Sequence, residues 1–238
     1  MVTKQTSAGN QQIMCDNNMV ADIIGKNIYD FLSPEQISRI PVINSTDNIV
    51  LIPAITQENT DLYYILEGTA EVFSQSYHGR RFLIDTLGAN DFIGKFSQMN
   101  KQNFYCEIKT YTPCTMLKLT EIKNELFNDE RFLLFFYIKT TNRIYEMYKL
   151  SMARTLFTYE ELLAYHLLER MNEDGLVSDK DIRICLKTNI SERQYYYIMK
   201  KFRNERIICN DKKGIYILDI ANLKAIATNV IEFMMNNI

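Results

Sequence analysis

The chain has 238 residues, 47% hydrophobic and 24% charged, with a formal net charge of −2. It is globular and long enough for two domains of the usual ~100 to 200 residues. No stretch approaches the ~18 apolar residues that cross a bilayer, and the start, MVTKQTSAGNQQIMCDNN, lacks the cationic head and apolar run of a secretory signal, so a soluble cytoplasmic protein without membrane attachment is expected.

In chain order, residues 1–25 read as an N-terminal tail. From Ile49 to Leu119 the chain breaks into short β-rich runs: IVLIP (49–53), LYYIL (62–66), TAEVF (69–73), RFLIDTL (81–87), FYCEIKTY (104–111) and TMLKL (115–119). They are separated by ITQENTD, Glu67-Gly68, SYHGR, GANDFIG and a Thr-Pro pair, punctuation that suits an antiparallel roll or barrel. The alternation in TAEVF predicts a strand with one wet face.

After Leu119 the character changes. Thr120 is placed to cap a short helix, Glu121 to Phe127, and residues 131–154 hold no proline or glycine. This long helix carries two apolar stripes: Leu133, Tyr137, Ile144, Met147 and Ser151 form one seam, and Leu134, Ile138, Tyr145, Tyr148 and Met152 the other. Two stripes need two burial partners, the roll and a second subunit, the alternative being complete burial inside one monomer. Tyr159 to Met171 is a further helix, closed by the turn NEDG; Ser178-Asp179-Lys180-Asp181 then opens another, with Ile182 and Leu186 on its apolar face.

Residues 189–203 read NISERQYYYIMKKFR. Ser191 and Gln194 have capping-box spacing, and Ile190 with Tyr195 the spacing of a hydrophobic staple, so a helix starts at about Glu192. Tyr195, Ile198, Met199 and Phe202 form its apolar stripe, leaving Glu192, Arg193, Tyr196, Tyr197, Lys200 and Arg203 around the rest. RIICN and GIYIL follow as β-runs joined by the basic hairpin 210–214. Residues 178–213 hold 10 Lys and Arg against 5 Asp and Glu in an otherwise acidic chain. Helix, turn, helix and basic hairpin is the order of a winged helix-turn-helix, and outward tyrosines there can meet thymine methyls and phosphates.

The expected fold class is therefore α+β, with an N-terminal antiparallel β-roll at 26–130, a long helix at 131–155 and a C-terminal winged helix-turn-helix at 156–238. Over roughly residues 26–220 the chain resembles the CRP/FNR regulators, carried by LYYILEGTAEV with GANDFIG, by the long helix, and by DKDIRICL with ISERQYYYIMKKFRNERII. The resemblance implies a cyclic-nucleotide-binding-like roll, a dimerisation helix with its interface at Leu133, Tyr137, Ile144, Met147 and Ser151, and a homodimeric transcription factor on palindromic double-stranded DNA. It places DNA contacts at Ser191, Glu192, Arg193, Tyr196, Tyr197, Lys200 and Lys201, and at Lys212 and Lys213 of the wing. RNA polymerase is a candidate partner. Effector-pocket candidates are Phe92, Gly94, Lys95, Phe104 and Tyr105.

Departures from the family pattern matter as much. The ribose-binding glutamate position falls on Lys95 and the phosphate-binding arginine position on Phe104, with Tyr105 beside it. Burying a cyclic phosphate without a cation is unfavourable, so cyclic AMP is not expected as the effector, which stays unidentified; a filled interior is the alternative. Only Cys15 precedes Cys106, against the N-terminal cluster of the iron-sulfur branch. The five cysteines, Cys15, Cys106, Cys114, Cys185 and Cys209, lack a C-x-x-C pair, and no cofactor or metal is expected. The stretch KTNIS reads as a turn about two residues longer than the family's. The helix's base-contacting positions hold Glu192, Arg193 and Tyr197, which implies an altered base preference. With His78 and His166 in different expected domains, a metal-dependent enzyme is not supported and no catalytic residue is assigned. A regulatory ligand-binding module acting on a protein partner is the alternative function.

Overall fold

The computed structural model describes residue 23 and residues 25–53, 61–75, 81–94 and 106–236. Among the described residues, eight strands come first: β1 (Val42–Ser45), β2 (Val50–Ile52), β3 (Leu62–Glu67), β4 (Ala70–Gln75), β5 (Arg81–Leu87), β6 (Phe92–Gly94), β7 (Cys106–Thr110) and β8 (Cys114–Lys118). They pair antiparallel into two four-stranded sheets, ordered β1-β8-β3-β6 and β2-β7-β4-β5. Ile65, Val72, Ile93, Ile108 and Met116 fill the space between the sheets. Gly68 is required at the β3–β4 turn: its φ is +91°, and a Cβ there would overlap the Pro113 carbonyl oxygen.

The first sheet is buried on both faces, which is why LYYIL shows no alternation. Tyr63 and Ile65 face the roll interior, whereas Leu62 and Tyr64 face an aromatic cluster built from the helices. Helix α1 (Pro34–Arg39) is preceded by a 3-10 turn at Ile28–Phe31; α2 (Lys123–Phe127) and α3 (Glu130–Leu156) follow the last roll strand. Phe31 stacks on Phe135 with centroids 4.5 Å apart, and Phe136 packs on Phe92 and Phe127 at 4.9 and 5.0 Å. These rings fasten the start of α3 to the roll.

The C-terminal part holds α4 (Tyr159–Arg170), β9 (Leu176–Val177), α5 (Asp181–Thr188), α6 (Glu192–Asn204), β10 (Ile208–Asn210), β11 (Ile215–Ile217) and α7 (Ile220–Asn236). Its core joins Leu163, Leu167, Ile184, Tyr195, Ile198, Phe202, Ile208 and Leu223. The hairpin β10–β11 is extended by β9 into a three-stranded sheet.

Several local expectations are corrected. Thr120 does not cap α2; its hydroxyl donates to Asp61 and accepts from the Leu62 amide, so a long-range partner captured it. Ser178 and Asp179 do not cap α5, whose N-cap is Lys180 without a side-chain bond, because the Asp179 carboxylate is engaged by Arg170. Of the apolar face read there, Leu186 is half-buried, the Ile182 side chain lies outside the described residues, and Ile184 and Cys185 carry the packing. The turn is not lengthened: α5 runs through Thr188, leaving Asn189, Ile190 and Ser191 before α6, and Asn189 takes the left-handed cap (φ 55°, ψ 33°) that glycine usually fills. Strands β1, β6 and β9 and helix α7 were not expected.

Candidate nucleic-acid interface

Local chemistry builds α6 as its sequence indicates. The Ser191 hydroxyl accepts from the Gln194 amide at 3.3 Å, and the Gln194 side chain accepts from the Ser191 amide at 3.3 Å. Ile190, Tyr195, Ile198, Met199 and Phe202 are buried in one cluster. Tyr195 donates its hydroxyl to Asp181 Oδ1 at 2.6 Å; burial and this carboxylate raise its phenol well above the usual range. Tyr196, half exposed, donates to the other oxygen of Asp181 at 3.2 Å. Asp181 at the start of α5 thereby grips α6 by two adjacent rings.

The opposite face of α6 is open. Ser191, Glu192, Arg193 and Lys200 are exposed, and Tyr197 is 74% exposed. Lys201 is exposed too, but its ammonium lies 2.7 Å from Glu160 on α4, which ties it to the neighbouring helix. In the hairpin, Asp211 Oδ1 accepts from the Lys213 and Gly214 amides at 2.6 and 3.2 Å. Gly214 is needed because a Cβ there would overlap the Val177 carbonyl oxygen. The turn so fixed presents Lys212 and Lys213 to solvent. The outward side chains of α6 and the hairpin lysines are thus all open to solvent.

Along α3, Leu133, Tyr137, Ile144 and Tyr148 are exposed large apolar residues, Ile144 at 61%. Met147 is half-buried and Ser151 exposed. Complete burial of the helix inside one monomer is thereby excluded. The second stripe is split: Leu134 and Ile138 pack on the roll cluster, while Tyr145 and Tyr148 remain exposed.

Between roll and α3 lies a cavity of about 260 Å³, lined by Val72, Leu87, Phe92, Gly94, Ile108 and Ile144 among others. Lys95, Phe104 and Tyr105 lie outside the described residues. The sequence reading missed its main charged group. Arg143 of α3 donates from Nε to Asp85 Oδ2 at 2.6 Å and from Nη2 to the Thr86 carbonyl, and its Nη1 is 3.7 Å from Asp91. Burial still pushes the Asp85 carboxyl up, against the pull of Arg143. An arginine next to Ile144 on an apolar helix was the available signal.

Also unforeseen are the ties between roll and C-terminal helices. Arg183 of α5 reaches Glu71 of β4 at 2.7 Å, and Arg154 of α3 donates to the Lys187 carbonyl at 2.6 Å. Asp179 lies 3.6 Å from His166 Nε2 and 3.1 Å from Arg170; these two neighbours hold its carboxyl well below the usual range.

Residues 52–125 match the cyclic nucleotide-binding domain family. Over 174 residues the chain is 24% identical to Regulatory protein YeiL of Escherichia coli O157:H7, covering 72% of this chain and 78% of that protein. A transcriptional regulator of the CRP/FNR family from Thermus thermophilus superposes with a TM-score of 0.65 at 15% identity, covering 79% of this chain and 98% of that one. Another CRP-family regulator from the same organism gives 0.65 at 15% identity, covering 78% and 96%. The fold is α+β and is the one those regulators share. They are transcription regulators, not enzymes, and no helix among the described residues is long and apolar enough to cross a membrane.

Proposed function

We propose that this chain, sharing the fold of the CRP/FNR regulators, is a sequence-specific DNA-binding transcriptional regulator that acts as a homodimer and catalyses no reaction. The observation that carries the reading is the shared exposure of the N-terminal face of α6 (Ser191, Glu192, Arg193, Tyr197) and the wing lysines Lys212 and Lys213, held in register by one buried core. A helix of this kind enters the major groove with its N-terminal residues at base edges, while flanking cations meet phosphates. Arg193 is the base-reading candidate; Lys200, Lys212 and Lys213 bind the backbone. Lys201 contributes after exchanging Glu160 for a phosphate.

The exposed stripe on α3 supports the dimer. Leu133, Tyr137, Ile144, Met147 and Ser151 follow heptad spacing, and a twofold pairing of this stripe sets two α6 helices on successive major grooves. Cyclic AMP is not the effector in this reading: the cavity's arginine is already neutralised by Asp85 and Asp91, so a cyclic phosphate would have to displace them.

The test is electrophoretic mobility shift with fragments of the source genome, followed by footprinting of retained fragments. A protected palindrome with half-sites one helical turn apart supports the reading; retention of no fragment at low salt removes it.

A further inference from the structure

Asp181 stands half-buried in the first turn of α5, and α6 takes both of its carboxylate oxygens. Tyr195 donates to Oδ1 at 2.6 Å and Tyr196 to Oδ2 at 3.2 Å, and the two rings meet edge to face with centroids 5.2 Å apart. Adjacent helical residues lie about 100° apart around the axis. One carboxylate therefore holds α6 at two points well separated around its circumference, and a roll of the helix in either sense strains one of the two bonds. Among the described residues no cation pairs with Asp181. The clamp lies wholly within the C-terminal part, between its own two helices.

Beneath α6 the packing is apolar. Ile184, Ile190, Ile198, Met199 and Phe202 keep the two helices together by burial, which has no direction and resists a small roll of α6 only weakly. Hydrogen bonds to an ionised acceptor are short and directional, so they fix the angle that burial leaves loose. A roll of about 20° carries a side-chain tip, ~5–6 Å from the axis, through ~2 Å. That displacement exceeds the ~0.5 Å spread of good donor–acceptor distances and breaks a bidentate contact to a base edge. Arg193 lies three residues before Tyr196, on the neighbouring stripe of the same helix, and turns with it.

We infer that Asp181 is a positioning residue for sequence discrimination: by holding the Tyr195 and Tyr196 hydroxyls together it sets the rotation of α6 that aims Arg193 and Tyr197 at base edges. The inference rests on the reading of α6 as a DNA-contacting helix. It also reassigns Tyr196, whose hydroxyl is committed to Asp181 rather than free for a phosphate. The charge of Asp181 points the same way. A carboxylate on a surface that gathers lysine and arginine repels phosphates and weakens binding to every sequence, so its contribution lies in selectivity and not in affinity.

The test measures the ratio of affinity for the footprinted palindrome to affinity for a scrambled duplex of equal length, on full-length wild type, Asp181→Asn, Tyr196→Phe and the double variant. The ratio cancels the general electrostatic gain that follows from removing a carboxylate. Asn keeps an acceptor for the buried Tyr195 hydroxyl and puts an amide NH2 where Tyr196 needs one, so it opens half of the clamp. Each single variant should lose roughly five- to tenfold in the ratio, part of what a bidentate arginine contact supplies. The double variant should lose no more than either, since all three remove one bond. Tyr196→Phe should melt with wild type, because that ring is half exposed. Ratios equal to wild type overturn the inference. So does a uniform loss by Tyr196→Phe on both duplexes that adds to the effect of Asp181→Asn, which makes Tyr196 a direct phosphate ligand. A wild type that retains neither duplex, or both equally, removes the DNA reading and the inference with it; a selective wild type with equally selective variants removes the positioning role alone. Should Asp181→Asn fail to fold, Tyr196→Phe decides by the same ratio.

Discussion

The two ends of α3 differ in what covers their large side chains. Near its start, Phe132, Phe135 and Phe136 are buried among Phe31, Phe92 and Phe127 of the same chain. Further along, Tyr137, Ile144 and Tyr148 stand largely in solvent, while on the opposite side Ala153 packs with Leu162 and Val230. One helix therefore carries two kinds of apolar surface. The first is satisfied within the chain at any concentration; the second is left open, and in the proposed reading a second copy covers it.

The comparison breaks first at Phe135. Phe135→Ala should destabilise the monomer by about 3–5 kcal/mol in urea unfolding, whereas Tyr137→Ala, two residues on, should change it by no more than about 0.5 kcal/mol. Equal losses would erase the distinction. The assembly half is sharpened by placing Asp at both Ile144 and Met147: the dimer should weaken by at least about 2 kcal/mol and run as a monomer in light scattering, with the circular dichroism spectrum retained. A dimer of unchanged affinity removes the stripe as the interface.

A smaller effect belongs to Asp179, which joins α4 to the start of the helix-turn-helix. Its carboxyl is depressed in the fold, so its contribution is fully present above the unfolded value of about 3.9 and is lost as pH falls toward the folded value. Asp179→Asn should cost about 1.5–3 kcal/mol at neutral pH, with the two proteins converging in acid. A constant difference across that range contradicts the assignment.

What the sequence made legible was local or periodic. Ser191, Gln194 and Ile190 act within one turn, so the start of α6 fell where the spacing placed it. Thr120 has the same chemistry as Ser191 but found Asp61, far off in the chain, which no local pattern encodes. Strand β1 was missed because VINS is only four residues at a sheet edge, and its inward positions, Ile43 and Ser45, are half-buried and supply a single apolar side chain. Helix α7 was readable, since Leu223, Ala227 and Val230 recur at i, i+4 and i+7 and are all buried. In the site, exposure of Arg193 and Tyr197 followed from helical phase, whereas the bonds of Tyr196 to Asp181 and Lys201 to Glu160 depend on how neighbouring helices pack.

The most direct measurement is the affinity of Arg193→Ala and Lys213→Ala proteins for the footprinted palindrome and for base-substituted versions of it, across a salt series. Arg193→Ala should lose about 1–3 kcal/mol of discrimination at one symmetric position per half-site, since a bidentate arginine contact is worth that much. Lys213→Ala should keep its selectivity and flatten the slope of log affinity against log salt by about 0.9 for the lost phosphate contact. Folded variants that match wild type in affinity, selectivity and salt slope would contradict the account, because α6 and the wing would then be a solvated face rather than the surface that reads DNA.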